Sequence, residues 1–150
     1  FAMSSQCHHR LIPALLLLAS AGCSSFQRDW EHAGKFSVAP DTPTRWDGRW
    51  MSERNGHNGK LRCLLTPQEN DIYAARFRAR YFKIFSFEYT VPLQMIPMTN
   101  GWKFTGSENL GLLAGGVYHY AGTIVGTNFY STYRASVDHG FFEMTQIDPD

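Results

Sequence analysis

Asp71-Ile72-Tyr73-Ala74-Ala75-Arg76-Phe77-Arg78-Ala79-Arg80-Tyr81-Phe82 alternates almost without a break. Tyr73, Ala75, Phe77, Ala79 and Tyr81 take one side, and Arg76, Arg78 and Arg80 take the other. A period of two belongs to a β-strand, whose successive side chains point to opposite faces of its sheet. One face is apolar and the other cationic, so the strand borders a core on one side and water on the other. The arginine row reads as a solvated outer face rather than an anion site.

The next run, Ile84 to Leu93, repeats the pattern with Phe85, Phe87, Tyr89, Val91 and Leu93 against Ser86, Glu88 and Thr90. If the two runs are neighbours, Glu88 lies opposite or diagonal to the arginine row and offsets part of its charge. Further strands are expected at Trp46 to Glu53, Gly59 to Thr66, Gly101 to Thr105, Val117 to Val125, Asn128 to Ala135 and Gly140 to Ile147. Turn signals such as Asn55-Gly56, Asn100-Gly101, Gly126-Thr127 and Asp138-His139-Gly140 separate them. No stretch is helical for long enough to make a crossover. The expected fold is therefore all-β, an antiparallel meander of about eight strands over 46–150 that closes into a small barrel, with a curved open sheet or a sandwich as the alternative.

With 150 residues the chain has room for one core. Aromatic residues at 15% against 18% charged exclude intrinsic disorder. Setting aside Arg10, thirteen basic side chains face thirteen acidic ones, a balance that argues against nucleic acid as a partner. Residues 1–22 read as a targeting segment: His8, His9 and Arg10 precede an apolar run, Leu11 to Ala19, which at nine residues is too short to span a bilayer. Met3 is the expected start. Residues 23–45 read as a tether, in which Phe26, Trp30 and Ala33 stand at helical spacing and Pro40 and Pro43 keep the following segment extended. Such a helix would cap the open end of the barrel or lie on a membrane.

Ala21-Gly22-Cys23, followed by Ser24-Ser25, resembles the lipobox of bacterial lipoproteins, with Ser20 where Leu is commonest. The resemblance implies that Cys23 carries a lipid and anchors the protein in the cell envelope, at the outer membrane facing the periplasm if the host has two membranes. Gly48-Arg49-Trp50 resembles the Gly-x-Trp opening of lipocalin-like (calycin-like) barrels, which implies that Trp50 is buried and closes one end. Thr132-Tyr133-Arg134 is similar to a later lipocalin signature but lacks its Asp. Asn55 to Gly59, Phe87 to Tyr89, Gly115 to Tyr118 and Asp138 to Gly140 are similar to phrases of uncharacterised bacterial lipoproteins, a likeness that implies no activity.

With Cys7 in the leader and Cys23 lipidated, Cys63 remains alone, and its alternation with Leu61 and Leu65 makes it a buried thiol. His57, His119 and His139, with Asp138 and Glu143 near the last, form no metal-ligand spacing. No metal and no cofactor are expected. Ser86, Ser131 and Ser136 lack the setting of a nucleophile. Gly111 to Gly116 lacks the Lys-Ser/Thr of a phosphate loop and reads as an apolar turn, with Leu110, Leu112 and Leu113 free to act as a lid, a membrane-dipping tip or a partner contact.

The candidate site is the interior, lined by Tyr73, Phe77, Phe85, Phe87, Tyr89 and Tyr118, with Ala75 and Ala79 as gaps between large rings. Such an interior either interlocks or holds one small ligand. Two function classes follow: a non-enzymatic binding module for a small apolar or amphipathic ligand, or a structural or interaction protein of the envelope with a filled core. An enzyme ranks third.

Overall fold

The computed structural model describes residues 24–35 and 42–150; residues 1–23, where a leader and a lipidated Cys23 are expected, and 36–41, which include Pro40, lie outside the described residues. An eleven-residue helix, α1 (Ser25–Lys35), precedes eight strands. The strands are β1 (Thr44–Ser52), β2 (Asn58–Pro67), β3 (Ile72–Tyr81), β4 (Phe85–Met98), β5 (Gly101–Asn109), β6 (Val117–Val125), β7 (Asn128–Arg134) and β8 (His139–Ile147). Each pairs antiparallel with the next, and β1 pairs with β8 to close the barrel. Closure leaves no free edge strand at either side of a sheet. The glycine of Gly-x-Trp serves this closure: a Cβ on Gly48 would come within 1.9 Å of the Glu143 carbonyl oxygen, so β1 and β8 approach there only because the side chain is missing.

The alternation of 71–82 is realised as read. Ala75, Phe77 and Ala79 are buried in the core, together with Leu61, Cys63 and Leu65 from β2. Glu88 stands directly across from Arg78 and lies 3.2 Å from the Arg76 guanidinium.

β4 is longer than its sequence pattern and runs through Pro92 and Pro97. Residues 85–92 pair with β3 alone, because the β4–β5 ladder begins at Leu93↔Gly106. Pro92 thus stands where that ladder ends, and Pro97 stands beside the 99–100 turn, positions at the margin of a ladder where a missing N–H is tolerated. The β4–β5 seam is consequently unpaired at one end of the barrel.

The helix does not cap the barrel. It lies against the outer wall, where Phe26, Trp30 and Ala33 form a second buried cluster with Leu64. The arginine row becomes its seat: Arg76 and Arg78 lie over the Phe26 ring, and Arg45 and Arg62 lie over Trp30. Arg76 also bonds Asp29 at 2.8 Å and the Ser25 hydroxyl at 2.7 Å. Part of the face expected to meet water is therefore roofed, because aliphatic stems and guanidinium planes make good cover for aromatic rings. At the far end of α1, Gly34 O accepts the Asp150 amide, and buried Arg45 pairs with Asp150.

Candidate functional site

Odd-numbered strands all run toward one end of the barrel, so the connections 53–57, 82–84, 110–116 and 135–138 gather there. The opposite end is filled. Trp46, Leu65, Met95 and Ile124 are buried there with Tyr73 and Trp102 packed against them, around a dent of 290 Å³. Trp46 Nε1 donates to Thr44 Oγ1 at 2.9 Å.

The end with the four connections holds a cavity of 640 Å³. Phe77 is not part of the lining but packs against two residues that are, with ring centroids 5.3 Å from Tyr89 and 5.4 Å from Phe142. The walls come from inward positions on six strands: Trp50 of β1, Ala79 and Tyr81 of β3, Phe87 and Tyr89 of β4, Tyr118 and Tyr120 of β6, Tyr133 of β7, and Phe142 of β8. The 110–116 connection adds Leu110, Leu113 and Ala114 to the lining. That connection holds a single 3₁₀ turn, Leu112–Ala114, and Tyr118 OH donates to Ala114 O at 2.8 Å to fasten it.

One side of the cavity is polar. Asp138, from the 135–138 turn, accepts Ser52 Oγ at 2.6 Å and the His139 amide at 2.8 Å on Oδ1, and Tyr133 OH at 3.2 Å on Oδ2. Burial pushes the Tyr133 phenol well up, and the nearby Asp138 charge pushes it further. The same two causes, with Tyr118 between them in weight, lift Tyr81 to about 12. Tyr118 is raised by burial and by Asp138 as well. Tyr89 and Tyr120 are raised chiefly by burial. These phenols are neutral donors at neutral pH.

The six residues expected inside are divided. Phe87, Tyr89 and Tyr118 line the cavity, whereas Phe77 lies in the packed core against Tyr89 and does not line it. Tyr73 keeps its inward face but belongs to the filled end, against Trp102. Phe85 pairs with Tyr81 at the last rung of β3–β4 and stands beyond the wall, 63% exposed. Trp50 is buried, yet its place is the cavity wall, where its ring lies 4.6 Å from Tyr81 and Nε1 donates to Arg80 O; Trp46 sits at the filled end. Tyr120, Tyr133, Asp138 and Phe142 were not anticipated as lining, and Tyr81 was read on the inward face of its strand without being among the six. The signal for Tyr133 and Phe142 was the alternation of β7 and β8, whose inward positions end at this mouth.

Among the described residues no group of three His, Cys, Asp or Glu side chains converges to hold a metal ion. Cys63 is fully buried, and desolvation pushes its thiol well above its ordinary value, which keeps it protonated and unreactive. No protein-family model, no curated protein and no solved structure matches the chain.

Proposed function

We propose that the protein is a non-enzymatic binding module that holds one small apolar or amphipathic molecule in the open end of its barrel, and that a lipid on Cys23 anchors it in the cell envelope. The observation that carries the binding reading is the 640 Å³ cavity, a volume in the range of small-molecule sites, with largely aromatic walls, tyrosine hydroxyls and the carboxylate of Asp138. A filled interior would have supported the structural alternative. The test is an apolar dye that fluoresces on burial. It should bind the parent stoichiometrically, and Ala79→Phe, which projects a ring from the wall into the cavity, should abolish binding while the domain stays folded. If the parent takes up no dye, the module has no ligand to hold. For the anchor, Cys23→Ser should release the protein from the membrane fraction; full retention there removes the lipoprotein reading.

A second reading, an envelope contact surface, is favoured by the rim of the mouth. Phe82 and Ile84 on one connection, Phe85 at the start of β4, and Leu112 and Leu113 on the next connection are between 63% and 108% exposed. Large apolar groups gathered at one end mark a contact with something apolar. Beside Phe82, the basic side chains of Lys60, Arg80 and Lys83 edge a recess on the outer wall. Apolar tips flanked by cations suit an anionic bilayer surface. Ser24 shares a second recess with Lys60, Arg80 and Ser86, so α1 begins on the mouth side of the barrel, next in sequence to Cys23. A lipid on Cys23 and the apolar rim would then meet the same membrane, with the cavity opening toward it.

A further inference from the structure

The cavity has a charge that its own walls leave unanswered. Asp138 is the acid in the lining, and no Lys, Arg or His side chain lines it. Its carboxylate is gripped by three neutral donors, the Ser52 hydroxyl, the Tyr133 hydroxyl and the His139 amide, and it makes no ion pair among the described residues. Arg54, the cation attached to the same turn, gives its guanidinium to the Val137 carbonyl and is not part of the lining. Neutral donors fix a carboxylate in place without cancelling its charge.

Around this carboxylate stand the rings of Tyr81, Tyr118 and Tyr133, with Trp50 behind Tyr81. An aromatic face carries the negative part of its quadrupole and attracts a cation placed over it. Burial and the Asp138 charge keep these phenols protonated, so the rings contribute faces and hydroxyl dipoles without adding further charge. An anionic guest would meet Asp138 with no base to compensate it. A neutral guest would fill the space and leave the charge alone.

On the binding-module reading, we propose that the ligand is an organic cation, an ammonium group on a small apolar body. The ammonium sits among Asp138, Tyr81, Tyr118 and Tyr133, and the body extends toward Phe87, Leu110 and Leu113. A carboxylate beside a cage of rings supplies attraction to a cation that none of the other walls of this cavity would supply to an anion.

The test compares three probes of one shape by calorimetric titration: benzyltrimethylammonium, its uncharged carbon isostere neopentylbenzene, and the anion phenylmethanesulfonate. The full protein should bind the cation about tenfold or more tighter than the isostere, the size of a desolvated cation–π and carboxylate preference, and should show no binding of the anion. Asp138→Asn should remove most of the gap between cation and isostere. Because Asp138 also fastens Ser52, that variant is read only if its melting stays cooperative; the parent's ranking of the probes decides the question without it. Equal binding of all three would overturn the charge preference and leave the binding module standing. Binding of none of the three, together with no uptake of the apolar dye, would overturn both.

Discussion

Ser52 Oγ and Asp138 Oδ1 lie 2.6 Å apart although 86 positions separate them in sequence. The bond ties the end of β1 to the turn between β7 and β8, beside the seam where the barrel closes. The same hydroxyl accepts the Asn55 amide at 3.3 Å, and Glu53 N donates to His139 O at 2.9 Å, so two connections of the mouth are braced as one unit. Ser52 is buried, and its partner is charged.

Ser52→Ala should therefore lower stability by about 1.5 to 3 kcal/mol, the usual worth of a hydrogen bond to an ionised group. Urea denaturation measures this directly. A shift of less than about 0.5 kcal/mol, the size expected of an ordinary surface change, would show that the brace does not hold the mouth.

The docking of α1 rests on Phe26, which has no exposed surface and stacks on Trp30 at 5.8 Å. Phe26→Ala should cost about 3 kcal/mol if the helix stays seated, and less if it detaches. Detachment would expose Trp30 and the buried face of α1, so limited proteolysis within α1 and Trp fluorescence distinguish the two outcomes. Burial pushes the Asp29 carboxyl up, but the hydrogen bonds and charges of Arg76 and Arg28 together outweigh it and hold the group below its ordinary value. A variant with unchanged midpoint and unchanged protease resistance would show that the seat contributes nothing.

The barrel was legible because its core strands alternate cleanly. Residues 71–93 gave two paired strands, their inward faces and the Glu88 partnership with the arginine row. The seat of α1 was harder to see, and its sign was one residue: Leu64, beside Leu65, breaks the alternation and places an apolar side chain on the outer wall. The cavity was only half legible. Its walls come from strands far apart in sequence, and β6 mixes His119 and Ala121 with Tyr118 and Tyr120, so its inward face could not be fixed from pattern alone. Asp138 was hidden because a turn carboxylate serves its own backbone in most turns, and here it does so while also facing the interior.

Alkaline pH should unfold the protein through its tyrosines. Tyr81 has an ordinary value of 10 when unfolded and about 12 in the barrel, with burial the main cause. Between those values the folded state holds more protons than the unfolded one, so stability falls as pH rises through the window and is unaffected below it. Tyr89, Tyr120 and Tyr133 act in the same direction. Tyrosinate absorbance from the core should appear together with loss of the β-sheet circular dichroism signal. Titration of these phenols with a midpoint near 10, as in the unfolded chain, while the barrel stays intact would contradict their burial.

Ile84 and Leu112 separate rim from cavity, because both are highly exposed, at 76% and 97%, and neither lines the interior. Substituting both with Ser in a Cys23→Ser background removes apolar tips without touching the core and sets the lipid aside. Stability should change by less than about 0.5 kcal/mol per site, since exposed positions carry little of the fold. Sedimentation with vesicles containing phosphatidylglycerol should nevertheless drop severalfold relative to the Cys23→Ser parent, and added salt should weaken the parent's binding by screening Lys60, Arg80 and Lys83. Dye uptake by the cavity should be unaffected, which shows that the loss lies in the contact and not in the pocket. Vesicle binding equal to the parent's would mean that the exposed rim serves some other surface, and the contact reading would then fall to the protein partners of the envelope.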